Sequence, residues 1–286
     1  RPGKGGGRNT KTLGRVWAEG TTPSADTEGW LEAGAAWEHA ATDWAYLFEP
    51  YARDAIEALF THLAVGPGTD LLDMACGSGY ALGRAERRGV VTAGLDASGG
   101  LIEIAQRRAP EADLRVGDMF ALPWDADHFD VVTSFNGVWG GCGNAFSEAF
   151  RVLRPGGAFG VTFWGPGKNL DLRNWFIALG SSTPPVGDEM IQLASIGAPG
   201  VVEDMFTDAG FENPTRGATS AILEAPDADM LWRCFRSPGL VKPALDAVGE
   251  DALRELMLAT VEPFRAPDGS YRFVNELTHA VAHKPA

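Results

Sequence analysis

From Asp70 to Trp164 the chain repeats one arrangement: a short apolar run, a polar or small residue at its end, then a segment with apolar positions three and four apart. The runs Asp70 to Met74, Val90 to Leu95, Leu114 to Val116, Phe129 to Phe135 and Ala158 to Trp164 read as strands. Tyr80 to Arg88, Leu101 to Arg108 and Asn144 to Leu153 read as helices between them, Ser98 being placed as an N-cap. Strand four is almost continuously apolar, as a strand covered on both faces should be. Strands alternating with helices predict βαβ units and a parallel sheet.

Upstream, Trp30, Trp37, Trp44 and Tyr51 recur at every seventh position from Glu28 onward, which puts them near one stripe of a helix. Pro50 predicts a break, and a second helix runs from Tyr51 to Leu63, ending at Gly66-Pro67-Gly68. A stripe of this kind is ordinarily a helix packed on the core. So much aromatic surface also suits a cap whose rings line a substrate pocket. Downstream, Pro199 to Ala209, Asp227 to Phe235 and Glu250 to Pro263 read as helices. Phe211 to Glu224 reads as an edge strand and Tyr271 to His283 as the last strand. Residues 165–198, with Trp175, Phe176 and Met190 among Gly and Pro breaks, read as inserted substrate-binding structure.

The most informative stretch is Leu71-Leu72-Asp73-Met74-Ala75-Cys76-Gly77-Ser78-Gly79. Gly77 and Gly79 give a tight turn through which backbone N–H groups can approach a ligand at a helix N-terminus. Asp73, at the strand end, can meet a cation or a hydroxyl. Cys76 reads as a small buried residue beneath the turn rather than a nucleophile. Asp96, at the tip of strand two, can accept two hydroxyl hydrogen bonds. Asp118, beside Met119, offers a carboxylate for an amine and a soft apolar face for a ring. A nicotinamide-binding fold would account for Gly77, Gly79 and Asp96, but not for Asp73, the Asp118-Met119 pair or the turn Leu153-Arg154-Pro155-Gly156-Gly157.

These motifs, in this order, resemble class I S-adenosylmethionine-dependent methyltransferases, and specifically the small-molecule, type 11 (UbiE-like) group. The resemblance covers Val65 to Trp164, and Trp37 to Ala45 looks like the N-terminal helix of that group. Ala75 stands where many members carry Gly, a mild change provided its backbone avoids the left-handed region. The resemblance implies that Asp73, Ala75, Cys76, Gly77, Gly79, Asp96, Ala97, Asp118, Met119, Phe135 and Asn136 contact S-adenosyl-L-methionine, with S-adenosyl-L-homocysteine as product. Asp96 would grip the ribose, Asp118 the adenine amino group, and Met119 the ring. It also implies a Rossmann-like α/β fold: a seven-stranded, mostly parallel sheet of order 3-2-1-4-5-7-6, helices on both faces and an N-terminal helical cap. The expected organisation is a flexible basic tail at 1–27, a cap at 28–63, and a methyltransferase domain at 64–286.

Transfer from a sulfonium needs alignment, and a base only when the acceptor must lose a proton. His39, on the cap helix, is the candidate base. Trp37, Trp44, Trp139, Trp164 and Trp175 are the candidate wall for a small apolar or aromatic acceptor. Methylation at O, N or C, including that of natural products, stays open, as does a SAM-binding regulator without activity. Composition narrows the partners further. A net charge of −14 over 286 residues disfavours nucleic acid and anionic membranes, and no apolar run is long enough to span a bilayer. Three scattered cysteines give no disulfide or metal framework, so a reducing cytoplasm is expected. Self-association through the N-terminal helix is a further open expectation.

Overall fold

The computed structural model describes residues 29–183 and 195–286. The basic tail at 1–27 and Met190 therefore lie outside the described residues, as does the middle of the 165–198 segment. Seven strands form one sheet: β1 (Asp70–Met74), β2 (Val91–Asp96), β3 (Asp113–Val116), β4 (Phe129–Phe135), β5 (Leu153–Trp164), β6 (Glu212–Ala225) and β7 (Tyr271–His283). Their order is β3-β2-β1-β4-β5-β7-β6, as expected. The first five run parallel, and β7 is inserted antiparallel between β5 and β6.

Alternation along the strands supplies two cores. Leu71 and Val131 point to one face, where α3 (Arg53–His62), α4 (Tyr80–Glu86) and α5 (Gly99–Arg108) cover them. Leu72, Met74, Val132 and Val161 point to the other, beneath α6 (Gly143–Val152) and α8 (Val201–Asp208). β7 pairs with β5 only from Leu277 to His283, so Tyr271 to Glu276 and their β6 partners overhang as a ribbon. The first core continues beneath that overhang, through α7 (Arg173–Ser182), α9 (Ala228–Arg236), α10 (Lys242–Val248) and α11 (Glu250–Val261).

Two expectations need correction. The turn before β5 is part of the strand, which begins at Leu153; Gly156 at φ +78° makes the kink, with a register shift between Phe129 and Val131 on β4. Arg154 in that turn pairs with Asp70 (2.8 Å) and Asp130 (2.7 Å), fastening three strands at the edge remote from the glycine turn. The aromatic stripe, in turn, is not on one straight helix. The chain is helical in α1 (Gly29–Glu38) and α2 (Ala41–Asp43), widens into a π turn at Trp44–Phe48 and tightens into a 3-10 turn at Glu49–Ala52 before α3. Pro50 does not end this run, because it sits in the first turn of the 3-10 segment, where a missing N–H costs nothing. The helix α10 had no counterpart in the sequence reading.

The cap is seated directly on the strand tips. Gly34 of α1 packs on the carbonyl of Ala97, with no room for a Cβ. Glu38 Oε1 accepts the Gly100 N–H at the start of α5 (2.8 Å). Gly34→Ala should therefore lift the cap while the sheet stays folded. Hydrogen exchange over residues 29–52 should rise roughly tenfold or more, with little change in the sheet strands. Unaltered exchange would show that this contact does not seat the cap.

Candidate active site

The loop after β1 is shaped by left-handed backbone. Ala75 (φ +57°), Gly77 (φ +55°) and Gly79 (φ +71°) all adopt it. The condition under which alanine here would be a mild change is therefore not met, and the left-handed backbone costs about 1–2 kcal/mol for a residue with a Cβ. Its methyl has room because Gly137 lacks a side chain: a Cβ there would lie 2.6 Å from Ala75 Cβ and 2.7 Å from Ser134 Oγ. The Cys76 side chain is turned down beneath the turn toward Gly94, and burial pushes its thiol well up. Only the backbone of Cys76 can face a ligand, and nucleophilic chemistry there is disfavoured.

Asp96 ties the turn to β2. Its Oδ2 accepts the Gly77 N–H (2.8 Å) and its Oδ1 the Ser98 N–H (2.9 Å), while Ser98 Oγ caps α5 through Leu101 N–H (3.2 Å). Burial raises the Asp96 pKa, opposed by the N–H groups of Ser98, Gly77 and Ala97. Each carboxylate oxygen has a further lone pair, so Asp96 can still accept hydroxyls. Asp118 stands at the neighbouring tip, two residues past the Asp96–Val116 pairing, its Oδ1 accepting the Phe120 N–H (2.9 Å). Met119 beside it packs against the core beneath α6 and α8. The three tips are therefore adjacent in the sheet, and a glycine turn flanked by carboxylates at β2 and β3 fits an adenosyl group.

Asp73 is 1% exposed and takes a hydrogen bond from Thr133 Oγ1 (2.8 Å) across to β4. Burial pushes its pKa up to about 8; the charges of Glu49 and Asp96 add to this and Thr133 opposes it. At the tip of β4, Asn136 (φ +55°) donates from Nδ2 to Tyr51 Oη (2.6 Å) and accepts from Thr162 Oγ1 (2.7 Å). Phe135 packs edge-on against Phe60, with ring centroids 5.8 Å apart.

The cap meets this turn through residues that the sequence reading did not single out. Glu49 accepts from Ser78 N–H (3.2 Å), from Ser78 Oγ and from Arg108 Nη1 (2.7 Å). Burial raises its pKa against these partners. Arg108 also donates to Ala45 O (2.6 Å) and lies over the Tyr46 ring. These partners are 29 to 63 residues apart, so no local spacing could announce them. A glutamate within an otherwise apolar run was the one available signal.

The aromatic residues divide. Trp37, Trp44, Phe48, Tyr51, Trp164 and Phe176 form a continuous series with centroids 4.8–5.1 Å apart. Trp175 is 1% exposed, wedged between Phe48, Phe176 and Phe235, and belongs to the core rather than to a pocket wall. Trp139 packs on the opposite face of the sheet, with the core beneath α6 and α8, because the chain turns across the sheet after Asn136. His39 is also reassigned. Nδ1 faces Ala36 O (2.6 Å) and Nε2 faces Arg236 O (2.7 Å), so neither nitrogen is left to take a substrate proton, and the ring pins the cap to α9. Among the described residues, no cluster of three His, Cys, Asp or Glu could hold a metal, and no helix is long and apolar enough to cross a membrane. Concavities of about 280 Å³ on the β6–β7 ribbon and 170 Å³ around Val91, Asp113 and Arg154 lie away from the glycine turn.

Residues 71–157 match a family model described as a methyltransferase domain. The chain is similar to nocamycin O-methyltransferase of Saccharothrix syringae, 29% identical over 217 residues, 68% of this chain and 75% of that protein. It is 37% identical over 98 residues to demethylmenaquinone methyltransferase of Renibacterium salmoninarum, 33% of this chain and 41% of that one. The chain thus spans three quarters of the first relative and under half of the second. In fold it resembles a methyltransferase structure from Bacillus halodurans (TM-score 0.54, 16% identity, 81% of this chain and 99% of that one). It also resembles a sarcosine dimethylglycine methyltransferase structure from Galdieria sulphuraria (TM-score 0.52, 16% identity, 88% and 98%).

The buried Asp73 carboxyl makes a stability prediction. Its pKa is raised from 3.8 to about 8 in the folded chain, so the folded state retains a proton that the unfolded chain releases. The resulting stabilisation is complete below about pH 4 and is lost as pH rises through about 8. Thermal melts of the ligand-free protein should fall between about pH 5 and about pH 9. Asp73→Asn, which keeps an acceptor for Thr133, should flatten that slope. Identical slopes would place the titration elsewhere.

Proposed function

The chain belongs to the class I S-adenosylmethionine-dependent methyltransferases, and on that premise we propose that it methylates a small apolar or aromatic acceptor held beneath its N-terminal cap. S-adenosylmethionine, when bound, supplies a methyl group activated by a sulfonium. The residues assigned to hold it are the turn Ala75 to Gly79, with Asp96 on the ribose hydroxyls, Asp118 on the adenine amine and Met119 against the ring. Ala97 and the loop Phe135-Asn136 complete the set. What carries this assignment is the Asp96 carboxylate. It joins the glycine turn to the start of α5 and has acceptor capacity to spare, with Asp118 at the next strand tip.

The acceptor side rests on the aromatic series. Half-buried Trp164, stacked on Tyr51 with an interplanar angle of 4°, lies next to the tip of β4, where Asn136 holds the tyrosine hydroxyl. Flat rings of this kind orient an apolar acceptor and keep water away from the reacting atoms. With His39 engaged by two carbonyls, alignment and desolvation carry the acceleration, and no general base is assigned. The similarity to a protein named for O-methylation of nocamycin supports an oxygen acceptor on a small natural product.

Calorimetric titration with S-adenosylmethionine and S-adenosylhomocysteine tests the donor site. Both should bind the full chain. Asp96→Asn should weaken both by at least about thirtyfold: two charge-assisted hydrogen bonds to the ribose at about 1 kcal/mol each are weakened, and the amide NH2 also replaces one acceptor of the Gly77 and Ser98 N–H groups, while the overall circular dichroism stays close to wild type. Binding of NADH in their place would overturn the assignment. On the acceptor side, a product heavier by one CH2 is sought by mass spectrometry across a panel of phenols and enols. Trp164→Leu should lower kcat/KM for the responding acceptor about tenfold while donor affinity stays within about twofold. Donor binding without methylated product from any acceptor would favour a regulatory role instead.

A further inference from the structure

The cap brings one buried charge to the glycine turn for which the donor assignment has no use. Glu49 is 8% exposed, and its two oxygens are engaged unequally. Oε2 accepts from both Ser78 Oγ and Arg108 Nη1. Oε1 has only the long bond from Ser78 N–H (3.2 Å), and it lies 2.9 Å from the point where a Cβ on Gly77 would stand. The Trp44 indole nitrogen is 3.8 Å from the same point. That point is on the side of the turn left bare by glycine, so Oε1 overlooks the surface that a ligand would cross.

The sheet order says which part of a ligand would cross it. An adenosyl group held by Asp118 at β3 and Asp96 at β2 leaves its remaining end running toward β1 and β4, over Gly77. Acidic groups line that path. Glu49, Asp73 and Asp96 are all buried around the turn, and Asp73 and Asp96 take hydrogen bonds from the neutral groups of Thr133, Gly77 and Ser98. Burial raises the pKa of all three carboxyls, Asp73 far enough to keep its proton near neutral pH, while Arg108 pairs with Glu49 Oε2 and leaves Oε1 without a cation. A positive charge arriving at Gly77 would favour the ionised form of Glu49; a neutral group would not.

We propose that Glu49 determines donor specificity: its Oε1 faces the sulfonium-bearing end of the donor across Gly77, so that the charged donor is held more tightly than the neutral thioether product. This rests on the donor assignment made above. S-adenosylmethionine and S-adenosylhomocysteine share their adenosine, ammonium and carboxylate groups and differ in one methyl and the charge on sulfur. The change in the ratio of their affinities on removing the Glu49 charge therefore reports on the sulfonium, whereas a residue that merely seats the cap would move both affinities together.

The test is calorimetric titration of the full chain, as wild type, Glu49→Gln and Ser78→Ala, with each of the two compounds. Wild type should prefer S-adenosylmethionine. Glu49→Gln should lose about tenfold more affinity for S-adenosylmethionine than for S-adenosylhomocysteine. Ser78→Ala loosens the same contact while keeping the carboxylate, and should weaken both by one common factor. An unchanged ratio in Glu49→Gln overturns the proposal. Should that variant fail to fold, Glu49→Asp withdraws the carboxylate by one methylene and must lower the ratio in the same direction; an undiminished ratio overturns the proposal equally. Failure of both compounds to bind wild type overturns the donor assignment and this proposal with it, a result distinct from binding with an unaltered ratio.

Discussion

The Asp96 carboxylate is the joint on which the site depends. One oxygen holds the Gly77 N–H and the other the Ser98 N–H, so a single buried side chain fixes the turn after β1 and the entry to α5. Three left-handed residues in five, Ala75 among them, would not persist in this loop without such external bonds. The consequences spread outward from it. With the turn fixed, Ala75 can lodge its methyl against Gly137, α4 can approach α5 at Gly79, and Ser78 can offer its N–H and hydroxyl to the cap.

The cap is the second constraint, and polar contacts hold it beside its buried rings. Glu49 and Arg108 fasten it at the turn, Glu38 at the start of α5, Asp43 to Arg233 and His39 to the end of α9. Arg233 and Asp43 are partly exposed and contribute little. The Glu49–Arg108 pair is mostly shielded from water and would cost far more to break on one side only. The aromatic series runs on from the cap to Trp164 and Phe176, and Phe48 and Tyr51 are buried in the first core, so the cap is continuous with the domain beneath it.

Much of this was legible in the sequence, for identifiable reasons. Strand tips declare themselves because an apolar run must stop, and Asp73, Asp96 and Asp118 each stand at or just past such a stop. The limits read for the last strand, Tyr271 to His283, are the limits observed. The order of strands came through the resemblance of the motifs and agrees with the sheet. The rest was hidden because it depends on distant pairs. Nothing near Glu49 names Ser78 or Arg108, and nothing near His39 names the carbonyl of Arg236. Trp139 and Trp175 were misread because tryptophan content says nothing about which face of the sheet a ring takes. The backbone of Ala75 is unusual for alanine, and only its packing against Gly137 explains it.

The central claim is that Asp96 and Asp118 hold one adenosyl group on the glycine turn beneath a closed cap. A crystal structure of the full chain with S-adenosylhomocysteine bound tests it most directly. Ribose hydroxyls within hydrogen-bonding distance of Asp96 and an adenine amine at Asp118 are the predicted result. Adenosyl density at any other place on the chain, with those two carboxylates making no contact to it, would contradict the account.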